Sequence, residues 1–216
     1  MNVFRRSDGL LLKEFEFPGN LHTLSVSRDG RFAVGAGWPG KVRVWNLATF
    51  EATDLTEGSG PFGARAQFSP HEDTLVLGQG STRTLSLLKS ETWEPIRQVQ
   101  TDAAWSAFTF CRNENWLVVG GFGQASVWKG DLTKLRWSTA FQEGHAGNAE
   151  NLVLSPDGSA IFGYCGQSTI RVWDTLSAHE LFSWDLPCGT SHWLNFADGQ
   201  TLHIEGTDGC YRFDER

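Results

Sequence analysis

The chain has little of what several functional classes require. Its four cysteines are Cys111, Cys165, Cys188 and Cys210. They form no C-x-x-C pair, so we expect neither a disulfide-rich secreted scaffold nor a zinc site. Lys and Arg number 18 against 25 Asp and Glu, and no basic cluster is present, which argues against a nucleic-acid partner. No apolar run reaches membrane-spanning length and no apolar signal segment opens the chain, so we predict a cytoplasmic protein without membrane contact.

Helical and catalytic patterns are also scarce. No window of a dozen residues keeps an apolar stripe with a 3.6-residue period. The six histidines are dispersed, and no G-x-S-x-G motif occurs. The glycine-rich stretch at 120–123 lacks the Lys-Ser/Thr that follows in a phosphate loop. We therefore expect no catalytic residues, no metal and no cofactor, and a protein that is not an enzyme.

What the chain does have is a polar turn that recurs at nearly constant spacing. The turn begins at Ser27, Ser69, Cys111, Ser155 and Ala197, in steps of 42, 42, 44 and 42 residues. A period in the low forties is typical of a β-propeller with four strands in each repeat. A content of 12% aromatic residues and 24 glycines suits strands and tight turns.

Each repeat shows the same order of four strands. Apolar residues alternate before the turn, a second apolar run ends in small residues, and a third strand ends in a large residue. A fourth, more polar strand suits the outer edge of a sheet. We predict an all-β fold of four-stranded antiparallel blades in one domain, 1–216. Its repeats are about 21–60, 61–103, 104–147, 148–188, and 189–216 together with 10–17.

The fourth repeat resembles the WD-repeat family of propellers. It contains Gly144-His145, then a Ser-Pro-Asp-Gly turn, then Ile-Arg-Val before Trp173-Asp174. The first repeat is similar, except that Asn46 follows Trp45 where the fourth repeat has Asp174 after Trp173. The resemblance implies a structural signature at Trp45, Trp128, His145, Trp173 and Asp174. It also implies a scaffold whose activity lies in its loops.

Strand counting predicts how the ring closes. The segment 10–17 has the pattern of a fourth strand, and the last repeat offers three strands, which gives twenty strands and five blades. The N-terminal strand would complete the C-terminal blade, so that one chain closes the ring as a monomer. The alternative is a segment of a longer array, because Val3-Phe4 aligns with Val44-Trp45 as a third strand of another blade. A ring that does not close within one chain would form an oligomer.

The resemblance also implies which loops bind. The residues that lead into each first strand and the loops between second and third strands would share one face. Trp and Arg are frequent on this predicted face, as in many protein contacts. The predicted partner-binding residues are Trp38, Arg65, Trp105, Phe122, Glu150, Asn151, Gln167, His192 and Trp193. We predict a non-catalytic scaffold for a protein or peptide partner.

Two other functions stay open from the sequence. In a lectin-like propeller, Trp rings would stack on a sugar or another small ligand, although the loop residues differ from repeat to repeat. A five-bladed glycosidase would need paired acids at the channel, for which only Glu150 and Glu205 are candidates.

Overall fold

The computed structural model consists of β-strands and tight turns, with no α-helix in the parts of the chain that it describes. These are residues 2–56, 63–79, 82–101, 105–111, 114–121, 124–140, 149–165, 169–186, 191–196, 201–206 and 209–214. Only the backbone is described at 105–106, 139–140, 149–151, 164–165, 191–193, 195, 205–206 and 209–214.

The strands form one two-stranded, four four-stranded and one three-stranded sheet. The N-terminal hairpin consists of β1 (Asn2–Phe4) and β2 (Leu11–Glu14). Blade 1 is β3 (Asn20–Val26), β4 (Phe32–Trp38), β5 (Val42–Asn46) and β6 (Ala52–Thr56). Blade 2 is β7 (Ala64–Phe68), β8 (Thr74–Gln79), β9 (Thr84–Lys89) and β10 (Pro95–Gln100).

Blade 3 is β11 (Trp105–Phe110), β12 (Trp116–Gly121), β13 (Gln124–Lys129) and β14 (Leu135–Ala140). Blade 4 is β15 (Ala149–Leu154), β16 (Ala160–Cys165), β17 (Thr169–Asp174) and β18 (Glu180–Asp185). Blade 5 is β19 (Ser191–Phe196), β20 (Thr201–Gly206) and β21 (Gly209–Asp214). Within each blade, strands that follow each other in sequence are neighbours in the sheet. This confirms the predicted fold class, an all-β propeller of four-stranded blades.

The chain divides into two compact units, Met1–Gln98 and Val99–Arg216. In the first unit, Val34, Val44 and Phe68 belong to a buried cluster between blades 1 and 2. In the second unit, Val127 packs with Ile161 and Trp173, which links blade 3 to blade 4. Each blade therefore buries its apolar face against the next one in the same unit. The predicted single domain and the closure of the ring stay predictions.

In blades 1 and 4, the recurring turn is built from a serine and an aspartate. In blade 1, the Ser27 hydroxyl donates to Oδ1 of Asp29 at 2.7 Å and accepts the Phe32 amide at 2.9 Å. Blade 4 repeats this arrangement, with Ser155 donating to Asp157 at 2.5 Å. The carboxylate also accepts the backbone amide two residues on, as in an Asx turn. The turn recurs because it joins strands one and two of each blade.

The N-terminal hairpin differs from the predicted single strand. The sequence predicts one strand within 10–17, whereas β2 pairs with an additional strand, β1, so that the described residues contain 21 strands. Phe4 lies opposite Leu11 and Val3 opposite Lys13, with a bulge between Val3 and Phe4. Only three residues form β1, too few for a clear period-two pattern. Val3-Phe4 thus forms a strand, as in the sequence alternative, while the longer array of that alternative stays a prediction.

Candidate functional surface

The leading ends of blades 1 and 2 form a described part of the predicted binding face. We use "leading end" for the end of a blade at which strands one and three begin. In blade 1, Asn20 at the start of β3 lies opposite Trp38 at the end of β4. In blade 2, Ala64 at the start of β7 lies opposite Gln79 at the end of β8. Antiparallel pairing thus brings these four positions to the same end of their sheets.

Trp38 is held by its backbone while its indole lies at the surface. A tight turn follows it, in which the Gly40 amide donates to the carbonyl of Gly37 at 2.8 Å. Gly19, at a φ of 141°, lies so close to the Trp38 carbonyl that a side chain there would collide with it. The Trp38 side chain is 49% exposed. It belongs to none of the buried clusters or ring pairs that the described residues form.

A β-bulge recurs at the leading end of strand one. In blade 1, Leu21 lies opposite Gly37 and Thr23 opposite Ala36, so His22 is the extra residue. Corresponding bulges fall at Ser106, Asn151 and His192 in blades 3, 4 and 5. All four bulged residues are polar, and bulges of this kind re-aim side chains near binding sites.

His22 links the leading ends of blades 1 and 2. A methyl group placed on Gly63 would lie 3.0 Å from Nδ1 of His22, so glycine allows the imidazole to approach this backbone. Burial of the ring lowers the pKa of His22, and the positive charge of Arg65 lowers it further. His22 is therefore neutral at pH 7, and Arg65 carries the charge at this junction.

Cations are concentrated at this end of the two blades. Lys41 follows Trp38 in the loop between strands two and three of blade 1, and Arg83 occupies the corresponding loop of blade 2. With Arg65 they supply three positive charges. The described loop residues of these two blades at this end, which are 19–22, 37–41, 63–65, 79, 82–84 and 100–101, include no Asp or Glu. The nearby Asp54 carboxylate is held by Arg43 at 2.5 Å, and this hydrogen bond lowers the pKa of Asp54.

The structure therefore describes two of the predicted contact side chains, Trp38 and Arg65. Trp105 begins β11, Glu150 and Asn151 lie in β15, and His192 and Trp193 lie in β19, but their side chains are outside the described residues. Phe122 and Gln167 lie outside the described residues altogether. The predicted contact residues do not include Leu21, His22, Lys41 or Arg83, although the sequence places Leu21 and His22 in the entry to the first strand on this face. The three-residue interval between Leu21 and Leu24, which breaks period two, is the signal that indicates the bulge.

The described side chains among the predicted signature residues pack or form hydrogen bonds within their own blades. Trp45 and Trp173 are buried, and each indole lies over a glycine, Gly35 and Gly163, where a side chain would collide with the ring. Trp128 is half-buried and its Nε1 donates to Ser126 at 3.1 Å. His145 lies outside the described residues.

Asp174 caps the turn that follows strand three of blade 4. Its Oδ1 accepts the amides of Leu176 and Ser177, at 3.2 Å and 2.7 Å. Asn46 does the same in blade 1, where its Oδ1 accepts the amides of Ala48 and Thr49. Aspartate and asparagine are therefore interchangeable in this turn, because both supply an oxygen that accepts amide hydrogens.

The described residues offer neither a metal site nor a membrane-spanning helix. Among them, no three His, Cys, Asp or Glu side chains are grouped so that they could hold a metal ion. The same part of the chain contains no helix that is long and apolar enough to cross a membrane.

Comparisons with known proteins give relatives over much of the chain. It is 27% identical to human Cilia- and flagella-associated protein 52 over 193 residues, which is 88% of this chain and 31% of the relative. The bovine protein of the same name is 27% identical over 139 residues, 64% of this chain and 22% of the relative. Human Echinoderm microtubule-associated protein-like 3 is 24% identical over 62% of this chain and 15% of the relative. The chain thus spans less than a third of the length of these curated relatives.

The family comparison falls on blade 1. The family model "WD domain, G-beta repeat" matches residues 11–46, which run from the start of β2 to the end of β5. Proteins built from such repeats serve in general as scaffolds for protein interaction. The recurring four-stranded blades and this match over blade 1 support the resemblance of the chain to the WD-repeat family of β-propeller proteins.

Proposed function

We propose that the chain is a non-catalytic protein-interaction scaffold and that the leading ends of blades 1 and 2 bind an acidic segment of a protein partner. The observation that supports this most directly is the half-exposed Trp38 at the same end of the blades as Lys41, Arg65 and Arg83, where the described loop residues include no carboxylate. Trp and Arg are the residue types that most often dominate the energy of protein contacts. The net charge of −7 disfavours nucleic acid, which carries the same sign of charge.

The chemistry of the surface defines the partner. Lys41, Arg65 and Arg83 would attract carboxylates and speed the encounter. The Trp38 indole offers a flat apolar surface on which a side chain can pack. Because His22 stays neutral at pH 7, it can accept or donate a single hydrogen bond without adding charge. Apolar contact flanked by cations fits an acidic peptide with one apolar or aromatic anchor.

The names of the relatives suggest the cellular setting. They associate the relatives with cilia, flagella and microtubules. We extend this setting to the chain and propose a partner in a ciliary or microtubule-based assembly. The predicted cytoplasmic location, and the contact residues predicted in the second unit, stay predictions.

The test compares capture by matched variants. Wild-type chain, Trp38→Ala and Arg65→Glu serve as bait in lysate of the native host, and bound proteins are quantified by mass spectrometry. We expect each variant to lose the same partners at least about ten-fold, since a hot-spot residue contributes about 2 kcal/mol or more. Raising the salt concentration should weaken the wild-type capture as well. Adding Trp105→Ala to Trp38→Ala should remove what binding is left.

Two exposed residues of outer strands provide controls, Phe182→Ala for the aromatic ring and Arg97→Glu for the charge. All variants should keep the thermal midpoint of the wild type. An unchanged set of captured proteins in Trp38→Ala and Arg65→Glu would exclude this surface. A large fall in the melting temperature of Trp38→Ala would mean that the indole is part of the core.

A further inference from the structure

His22 lies where three backbone segments meet at the leading ends of blades 1 and 2. It is the bulged residue of β3, opposite the end of β4. A methyl group at Gly63 would lie 3.0 Å from Nδ1 and 3.3 Å from Cε1 of the imidazole, and 3.4 Å from the Gly37 carbonyl oxygen. The imidazole therefore lies against the segment that leads into β7, while the residue as a whole remains exposed and within reach of a partner.

The charged groups that these segments bring to His22 are positive. β3 has no other ionisable side chain, β4 has none, and the described residues 63–68 contribute Arg65 alone. Lys41, in the turn after β4, adds a second positive charge at this end of the blade. Burial of the ring and, after it, the charge of Arg65 lower the pKa of His22. The free chain thus disfavours the imidazolium for two reasons, and a partner carboxylate opposes the second of them.

A carboxylate that binds Arg65 changes the state of His22. It offsets the positive charge that disfavours the imidazolium, and within about 4–6 Å of the ring it stabilises the imidazolium directly. The protonated ring can in turn donate a charge-assisted hydrogen bond to the carboxylate. The complex then binds more protons than the free chain does. By linkage, such a complex tightens as the pH falls through the range between the two pKa values of His22, the lower one in the free chain and the higher one in the complex.

We propose that His22 couples the binding of an acidic segment at this surface to the uptake of one proton from solvent, so that the complex tightens as the pH falls from about 8 to about 5.5. This inference rests on the proposed function and adds a regulation to it. At the upper end of this range the surface has the charges of Lys41, Arg65 and Arg83, and at the lower end the bound state gains a fourth cation at the junction of the two blades.

Binding of a defined peptide at two pH values tests the coupling. The probe is a synthetic peptide of six glutamates around one phenylalanine, with a label whose emission does not change with pH, and fluorescence anisotropy follows its binding to the full chain. We expect the dissociation constant to fall about three-fold or more between about pH 8 and about pH 5.5, since a pKa difference of one unit corresponds to a factor of ten. Glutamate, with a usual pKa of about 4.3, stays largely ionised over this range.

Nuclear magnetic resonance measures the protonation of His22 directly. The Cε1 hydrogen of the ring, assigned by its loss in His22→Gln, gives the titration midpoint of the imidazole. Saturation with the peptide should raise this midpoint by about half a pH unit or more. Arg65→Gln should raise it in the free chain, because this change removes the positive charge beside the ring. These titrations follow the wild-type histidine, so they decide the question even where His22→Gln lowers the stability of the fold.

His22→Gln and His71→Gln form a matched pair of variants. His71 lies in the turn between β7 and β8, at the other end of blade 2. The ratio of the peptide affinities at the two pH values should fall to about one in His22→Gln and should stay at the wild-type value in His71→Gln. A peptide with glutamines in place of the glutamates should show no binding that strengthens in acid, because it offers no carboxylate.

The outcomes separate this inference from the proposed function. A peptide that binds at neither pH, or that binds Arg65→Glu as well as the wild type, overturns the proposed function and the inference with it. Binding that requires Arg65 but has the same affinity at both pH values overturns the inference alone, as does a His22 midpoint that the peptide leaves in place. An equal tightening in His22→Gln would assign the pH effect to another group and would overturn the role of His22.

Discussion

Two junctions in this molecule have the same outer contacts and different inner ones. Between blades 3 and 4, Val118 and Val127 together cover the face that Leu152 and Leu154 share with Trp173. Between the N-terminal hairpin and blade 1, Val3 covers Trp45, while Leu24 and Val26 stay open. The two halves of a blade thus bury different residues of the neighbouring blade. Strands three and four bury the large residue at the end of the neighbouring third strand, and strands one and two bury the inner strand.

The strongest test of this comparison substitutes equivalent residues at the two junctions. Leu152→Ala should lower the free energy of unfolding by about 2–5 kcal/mol, because it leaves a cavity in a buried cluster. Leu24→Ala should lower it by no more than about 0.5 kcal/mol, because half of that side chain is already in water. Chemical denaturation followed by circular dichroism measures both values.

Phe68→Ala is the matched control in the first unit, where the counterpart of Val26 is buried. It should cost about 3–5 kcal/mol. If Leu24→Ala proved as costly as Leu152→Ala, the inner strand of blade 1 would be covered in solution and the two junctions would be alike.

Substitutions in the turns between strands three and four should change the stability by a smaller amount. Gly9 in the N-terminal hairpin and Ala178 in blade 4 occupy the same turn position, at φ values of 69° and 64°. Glycine adopts this left-handed conformation without strain, whereas alanine does not. Ala178→Gly should therefore stabilise the chain by up to about 1 kcal/mol, and Gly9→Ala should destabilise it by about the same amount. Melting curves of the two variants check this.

Ala48→Gly serves as the control for these turn variants, since Ala48 lies in the corresponding turn of blade 1 without a positive φ. Its main effect should be a slight loss of stability, from the greater freedom of glycine in the unfolded chain. A loss of stability in Ala178→Gly as well would show that the hairpin and the blade do not share their turn geometry.

The smallest expected effect is a change in the stability of the fold at acidic pH. The Arg31 amide, followed by the Ser27 hydroxyl, lowers the pKa of Asp29 from 3.8 to about 2, and a hydrogen bond from Ser155 likewise lowers the pKa of Asp157. A carboxyl whose pKa falls on folding stabilises the fold above its unfolded pKa, and this contribution disappears as the pH falls. For Asp29 the loss should therefore run from about pH 4 to about pH 2.

Asp29→Asn and Asp157→Asn should each flatten the pH dependence of stability in acid. The two effects should have the same direction, because in both turns a serine hydroxyl and the backbone amide two residues on donate to the carboxylate. An unchanged pH dependence in either variant, in acid titrations followed by fluorescence, would mean that its turn does not make these hydrogen bonds in solution.

Much of the fold could be predicted from the sequence, because each repeat carries its own local signals. The turn that begins at Ser27 and recurs with a period in the low forties predicts the blades, and alternating apolar residues predict which strands are buried. The twenty strands counted from the sequence do not include β1, because three residues are too few to show a period-two apolar pattern. The strand expected within 10–17 is present as β2, which pairs with β1, and its completion of the C-terminal blade stays a prediction.

The candidate surface was predictable only in part. Trp38 could be selected because it is an aromatic residue directly before Pro39, where a strand ends. The sequence places His22 in the entry to the first strand on this face but not its bulge, because the bulge depends on how β3 pairs with β4. Its neutral state depends on burial and on Arg65, which lies 43 residues away in sequence.

By itself, the sequence determined the repeating scaffold, because strand order, turn chemistry and apolar alternation are local properties that each blade carries. The tertiary structure alone decided which of these equivalent residues are exposed. Leu24 and Leu152 occupy the same position in the repeat and look alike in sequence. Only the packing of neighbouring blades leaves one in water and buries the other, since burial is a property of the surroundings and not of the residue.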